Sequence, residues 1–304
     1  MNKCISSFSA RFFTMIFTMS LTSCTQINVM HEEQSALLIQ ADFSGLVMTG
    51  VAYSVSQDLE IYNICPLIDL YDISQASASL EYNAQTWPEG TVFVSVVDPG
   101  VGTKRKSVVL KTKTGMFFVS PDNGSLSGPA NSYGIEAVRE IDENVNRRPG
   151  TDWSHTFHGR DVYSYTGARL AAGVISFEEV GPLLAPEVML LLVSEGKFEG
   201  GVLTGLVTGG TGRLGNISFN INRALFDKIK PEFGEQFSVS ISHKGKTIWT
   251  GSLPYSRSFG SVSLGESLLF MNSSGELSIA VNQGNFADKY GINAGADWNI
   301  RISR

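Results

Sequence analysis

A carboxylate and a guanidinium, Asp98 and Arg105, stand seven positions apart in the stretch Val94–Lys106, which reads V-S-V-V-D-P-G-V-G-T-K-R-K. The stretch begins as an apolar, β-branched run of the kind that forms a buried strand. It breaks at Asp98-Pro99-Gly100, where Pro fixes one dihedral and Gly frees others. In open α/β sheets ligands bind beyond the carboxyl ends of strands, so an acid at this point can meet a substrate. The same residues also suit a plain strand and tight turn, with Asp98 as an ordinary turn former. Two further acids follow strand-like runs in the same way: Asp42 after Ala36–Ala41, and Asp122 in Ser120-Pro121-Asp122-Asn123-Gly124. Acids at several strand ends would make a polar pocket if those ends share one edge. Of the four histidines, His158 lies in a polar turn, Ser154–Asp161, just before a helical pattern. An imidazole there suits proton transfer or an anionic neighbour, and equally an exposed capping turn.

The elements that must position these groups fall into two halves. From residue 36 to 188, strand-like and helix-like segments alternate: strands at Ala36–Ala41, Leu67–Leu70 and Thr91–Val97, a hairpin of Ser107–Leu110 with Met116–Val119, and helical spacing over Arg160–Val174 and Ser176–Val180. That pattern predicts an α/β domain with a mostly parallel central sheet. From 196 to 304 the segments are short strands between turn signals: Val202–Val207, Asn216–Asn222, Gln236–His243, Lys246–Gly251, Ser267–Met271 and Leu277–Val281. They predict a smaller, all-β, barrel-like domain. The join falls in Pro182–Glu195. Gly210, Gly212 and Gly215 match the spacing of a dinucleotide fingerprint, but that motif needs a helix after it, and here an alternating strand pattern follows.

Composition limits the function classes. A chain of 304 residues with 17% charged residues and net charge −6 is globular, and its lack of a basic block beyond Lys104-Arg105-Lys106 argues against nucleic acid. Residues 1–24 read as a signal peptide: Lys3 and Arg11 precede a short apolar run, and the segment ends Leu21-Thr22-Ser23-Cys24. That ending is similar to a bacterial lipobox, which predicts an exported lipoprotein, lipidated at Cys24 and anchored on the periplasmic side of a membrane. Among the three cysteines, Cys4 would leave with the signal and Cys24 would be blocked. Cys65 then has no disulfide partner and reads as a buried small hydrophobe. No His/Cys spacing suggests a metal.

Three blocks together carry a resemblance: Val96–Arg105, Pro121–Gly124 and Thr156–Asp161. They resemble, in order and approximate spacing, the signature blocks of the S-adenosyl-L-methionine hydroxide adenosyltransferases, relatives of the fluorinases and chlorinases. Gly215-Asn216 and Asn272–Asn282 extend the similarity, which spans residues 36–304. The resemblance implies an α/β domain, a C-terminal β-barrel-like domain and a homotrimer with its ligand between subunits. It implies attack of water or hydroxide on C5′ of S-adenosylmethionine, giving adenosine and L-methionine, with no cofactor and no metal. The family's catalytic Asp-Arg-His set falls on Asp98, Arg105 and His158. Its ribose contact falls on Asp42 and its adenine contact on Asn216; beside these, the Gly159 N–H at the helix start can hold the nucleophile's oxygen, and Asp122 and Asn123 are further candidate substrate-binding residues.

Chemistry is compatible with that set. A sulfonium leaves without protonation, so the site must mainly align a water opposite the C5′–S bond and exclude other solvent. Arg105 beside His158 would disfavour imidazolium.

Some positions depart from the family pattern. The second acid of the opening block is absent from Ala41–Val47, the family's D-I-T-H block becomes Asp69-Leu70-Tyr71-Asp72, no aromatic stands near Ser77, and Thr211 or Gly212 replaces an acid that meets the substrate ammonium in relatives. Two expectations follow: a hydrolase of S-adenosylmethionine or a close adenosyl analogue, or a catalytically impaired, membrane-anchored lipoprotein that binds an adenosine-like ligand.

Overall fold

Alternate residues of the first strands face opposite helical layers. In β1 (Leu37–Ala41) and the later strand Val92–Val96 every residue is buried. Leu37, Ile39, Ala41, Val92, Val94 and Val96 join one apolar cluster, while Leu38 and Phe93 join another. A strand covered on both faces reads as continuous apolar sequence, as these do. The computed structural model describes residues 34–304 except 66, 193 and 210–213.

The first half runs β1, α1 (Leu46–Val55), β2 (Ile61–Asn63), α2 (Ile73–Ala84), β3 (Val92–Val96), β4 (Ser107–Thr112), β5 (Phe117–Pro121), α3 (Ser127–Tyr133), β6 (Ile135–Glu140), α4 (Glu143–Asn146), a π-helical turn (Gly159–Tyr163) and α5 (Ser164–Ala171). The strands form one six-stranded sheet in the order β2-β1-β3-β5-β4-β6. Met48 and Ala52 of α1 and Ala168 and Ala171 of α5 cover one face; Leu80 and Ala84 of α2 and Ala130 of α3 cover the other.

The expected mostly parallel sheet is corrected to a mixed one. Pairings β1–β2, β1–β3 and β3–β5 are parallel, but β4 runs antiparallel to both β5 and β6. The tight link from Thr112 to Met116, turning at Gly115 with φ +77°, is too short for a parallel crossover. Leu67–Leu70, expected as a strand, is loop. Cys65, expected to be buried, is exposed.

The second half carries β7 (Lys197–Glu199), β8 (Val202–Gly209), β9 (Ile217–Asn222), α6 (Arg223–Phe226), β10 (Gln236–His243), β11 (Lys246–Pro254), β12 (Ser267–Met271), β13 (Glu276–Val281), α7 (Phe286–Tyr290) and β14 (Gly295–Ser303). The eight-stranded sheet runs β11-β10-β14-β8-β9-β13-β12, with β7 on β8, and every ladder is antiparallel. Ser256 N–H donates to Leu269 O at 2.8 Å, bringing the end of β11 against β12 so that the sheet nearly closes as a barrel. Its interior is an apolar cluster that includes Phe219, Phe226, Phe237 and Phe286. A strand, β9, follows the glycines at 210–215, as the alternation predicted.

Candidate active site

Asp42, Asp98 and Asp122 leave the sheet at one edge. Parallel β1 and β3 are in register from Leu37↔Val92 to Ala41↔Val96, and β5 runs parallel to β3. Beyond β3 the chain folds into a loop closed by Val101 N–H to Asp98 O at 3.2 Å and Thr103 Oγ1 to Gly100 O at 2.7 Å. Gly102, at φ +77°, brings its backbone so near the next segment that a Cβ would sit 3.0 Å from His155 O. The loop returns Arg105 to the head of β4, facing Asp98. Arg105 Nε donates to Asp98 Oδ1 at 2.9 Å and Nη2 to Oδ2 at 2.5 Å. Both side chains are nearly buried, at 10% and 6% exposure. Burial works against the Arg105 charge, but the hydrogen-bonded Asp98 carboxylate, together with Tyr163 and Glu143, outweighs it and holds the guanidinium above its ordinary range.

His158 caps the π-helical turn and is buried. The turn approaches β3 because residue 159 is glycine: a Cβ there would lie 2.9 Å from Val96 Cγ1 and 3.3 Å from Phe43 Cζ. Phe157 packs edge-on against Phe43 at 5.5 Å and fixes the entry of the turn. From this position His158 Nδ1 lies 3.1 Å from Arg105 Nη2. Burial lowers the His158 pKa below the usual imidazole range; Glu143 and Asp98 oppose that, while Arg105 and Arg147 reinforce it. Asp98, Arg105 and His158 are therefore one connected group. The first turn of a helix leaves backbone N–H groups without intrahelical partners, which keeps the Gly159 N–H free of the helix's own bonds.

Four further residues complete this group and were not singled out in the sequence. Ser107 Oγ accepts from Arg105 Nη1 at 3.0 Å and lies 3.0 Å from Tyr163 Oη. The Tyr163 ring, 5.6 Å from the Arg105 guanidinium carbon, is fully buried, and burial with the Asp98 charge pushes its hydroxyl pKa far up. On the other side of His158, Arg147 Nη2 lies 3.3 Å from Nε2 and is salt-bridged to Glu143. The acid–base spacing of Glu143 and Arg147, four positions apart, is the signal that could have marked them.

Glu143, His155 and His158 bring ligand-type atoms within 4.8 Å of one another. Arg147 Nη2 contacts all three, bonding to Glu143 and lying 3.3 Å from His158 and 3.5 Å from His155. A fixed cation already occupies the place a metal would take, so these residues do not read as a metal centre.

The remaining expected residues are placed less uniformly. Asp42 Oδ2 accepts the Tyr71 N–H at 3.0 Å, and Tyr71 adopts φ +64° and is exposed. Asp122 Oδ1 accepts the Met189 N–H at 2.7 Å. Asn123 is engaged by backbone: its Nδ2 donates to Val97 O at 2.8 Å and its Oδ1 accepts Ser125 N–H at 3.2 Å. Ser77, where an aromatic was missed, accepts the Gly128 N–H at 2.7 Å and ties α2 to α3. Asn216 precedes β9 in the other sheet. Among the described residues, no hydrogen bond or ion pair joins that sheet to Asp98, Arg105 or His158. Cys24, Thr211 and Gly212 lie outside the described residues.

Comparison with known proteins gives consistent matches. Family models described as the SAM hydroxide adenosyltransferase N-terminal and C-terminal domains match residues 39–181 and 213–299. A protein of Salinispora tropica named (R)-S-adenosyl-L-methionine hydrolase is 29% identical over 253 residues, covering 81% of this chain and 88% of the relative. One of the same name from Thermus thermophilus is 31% identical over 236 residues, covering 74% and 81%. The crystal structure of an uncharacterized conserved protein from Thermotoga maritima superposes with a TM-score of 0.78 at 32% identity, covering 88% of this chain and all (100%) of that one. These findings correct the expectation of an exported, membrane-anchored lipoprotein. Relatives that align over most of the chain are named as hydrolases rather than lipoproteins. Separately, no helix among the described residues is long and apolar enough to cross a membrane.

Proposed function

For a chain that belongs to the SAM hydroxide adenosyltransferase family, we propose hydrolysis of S-adenosyl-L-methionine, or a close adenosyl analogue, to adenosine and L-methionine, with Asp98, Arg105 and His158 as the catalytic group. The observation that carries this reading is the single Arg105 guanidinium bonded to Asp98 on one side and 3.1 Å from His158 on the other, at the ligand-binding edge of the sheet.

In the reaction a water oxygen forms a bond to C5′ as the C5′–S bond breaks. The bond electrons pass to sulfur, which leaves as the neutral thioether of methionine. The oxygen, cationic once bonded to carbon, sheds its extra proton to solvent without a strong base. The protein's task is to hold and desolvate the water in line with the breaking bond. Asp98 fixes the Arg105 fork, and Arg105 fixes the neutral His158 ring. The Gly159 N–H, beside His158, holds the water oxygen. Asp42 holds the ribose hydroxyls, Asp122 and Asn123 line the same edge, and Asn216 meets the adenine.

Asn216 lies just before β9, whose sheet, among the described residues, makes no polar contact with the catalytic group of its own chain. That separation favours a site completed by a second copy, as in a homotrimer. Exposed Leu46, Tyr71 and Trp153, at 73%, 68% and 79%, supply apolar surface in the segments beside Asp42 and His155 for a ligand or neighbouring subunit to cover.

The test is incubation of the purified chain with S-adenosylmethionine and chromatography of adenosine. Adenosine release that is lost in His158→Ala supports the hydrolase. Tight adenosine binding without release supports the competing reading, a catalytically impaired binding protein.

A further inference from the structure

His158 lies between two guanidinium groups. Arg105 Nη2 is 3.1 Å from its Nδ1, and Arg147 Nη2 is 3.3 Å from its Nε2. A guanidinium only donates, and a neutral imidazole has one lone pair and one N–H. Both nitrogens therefore face donors, yet only one of them can accept. Imidazolium could accept from neither. The ring is thus constrained to one neutral tautomer at a time, and whichever guanidinium is held more rigidly takes the lone pair.

Arg105 is held by the two-point Asp98 pair and by Ser107. Arg147 is held differently. It is nearly buried, at 7% side-chain exposure, and its Nη1 donates to Thr151 O at 3.3 Å and Ser154 O at 3.0 Å. Its Nε donates to Glu143 Oε2 at 3.1 Å, and Nη2 bonds to the same carboxylate. Glu143 is itself 35% exposed and lies 3.9 Å from His158 Nδ1. So Nδ1 meets the closed Arg105–Asp98 pair, while Nε2 meets Arg147, whose partner carboxylate on Glu143 reaches both solvent and the Nδ1 side of the ring.

We propose that Glu143 and Arg147 form a second positioning pair for the proposed hydrolysis, acting through His158: Arg147 keeps the ring neutral and oriented towards Arg105, and Glu143 tempers that effect by partly neutralising Arg147. The inference rests on the hydrolase reading for its effect on rate, but not for its effect on the ring. The charged and titratable groups facing His158 are Asp98 and Arg105 from the β3–β4 loop, Glu143 and Arg147 from α4 and its end, His155 from the preceding turn and Tyr163 from the π-helical turn. Because the two members of the pair carry opposite charges, their removal acts on the ring with opposite signs.

The experiment is an NMR titration of the ligand-free protein, following the His158 ring signal assigned by its loss in His158→Gln. Arg147→Gln is expected to raise the His158 pKa, Glu143→Gln to lower it further, and Arg147→Lys to leave it near the wild-type position. Turnover of S-adenosylmethionine by Arg147→Gln should show kcat reduced about tenfold with KM within about twofold, since orientation and not binding is lost. Opposite pKa shifts with a kcat effect sustain the proposal. Shifts of the same sign, an unmoved ring, or a change confined to KM overturn it. Wild-type protein that shows no turnover would sink the hydrolase reading alone, because the titration needs no substrate. Should Arg147→Gln fail to fold, Glu143→Gln still decides: a lowered His158 pKa sustains the proposal, and an unmoved or raised one overturns it.

Discussion

Arg105 meets Asp98 through two parallel hydrogen bonds, 2.9 and 2.5 Å long, across the loop between β3 and β4. Both partners are nearly removed from solvent, so the pair cannot be treated as a surface salt bridge. Removing one member leaves the other charged and buried. Asp98→Ala is expected to destabilise the fold by about 3 kcal/mol, read from urea unfolding. It should also lower kcat about 100-fold or more, because the guanidinium then loses its orientation towards His158.

The lowered His158 pKa sets a pH limit. The neutral ring persists below the ordinary value of 6.5, so turnover is retained through pH 6.5 and falls only as pH drops through the lower, folded-state value. Stability has the same sign. The unfolded ring binds a proton first, near 6.5, so this group's contribution is full above 6.5 and is lost as pH falls from there to the folded-state value. His158→Gln should flatten that acid-side loss in thermal unfolding measured across pH.

Gly159→Ala adds a Cβ 2.9 Å from Cγ1 of the buried Val96 and 3.3 Å from Cζ of Phe43, which packs against the same apolar cluster. Overpacking at such a site costs about 1–3 kcal/mol. The shift should also push the π-helical turn away from β3, so kcat should fall along with the unfolding midpoint. An alanine variant of full stability and activity would show that this close approach is dispensable.

Asn123→Ala leaves Val97 O and Ser125 N–H without their side-chain partner. The expected cost is about 1–3 kcal/mol of stability by thermal unfolding. The end of β3, and with it Asp98, should become more mobile, visible as faster amide exchange at residues 97–98.

A site shared between copies predicts complementation. His158→Ala and Asn216→Ala should each be inactive alone. In mixed oligomers formed by co-expression, some sites pair an intact His158 half with an intact Asn216 half, and about a quarter of wild-type activity should return for random mixing. No recovery in verified mixed oligomers would place both halves of the site within one chain.

Much of the scaffold was legible in local pattern. Uniform apolar runs marked β1 and β3, and alternation marked β9 and β10, because burial on two faces or one leaves a direct imprint on residue type. Asp98, Arg105 and His158 stood out through their motif blocks. Short or exposed elements left no such imprint: β2 is three residues long and half exposed, and Leu67–Leu70 is apolar without being a strand. The antiparallel pair of β4 and β5 was legible as a hairpin, because a link of a few residues allows no parallel crossover; what the pattern missed was β6, which adds a second antiparallel ladder on β4 and makes the sheet mixed.

Sequence by itself determined which groups were available: an acid after each of three strands, a guanidinium past a glycine loop, an imidazole before a helix. Only the tertiary structure decided which of them meet. Arg105 reaches both Asp98, seven positions away, and His158, 53 positions away, while Asn123 is drawn off to hold backbone. It also supplied partners no motif announced, Ser107, Tyr163, Glu143 and Arg147. The reason is that a hydrogen bond depends on distance and direction in space, and those are set by strand register and helix packing rather than by separation along the chain.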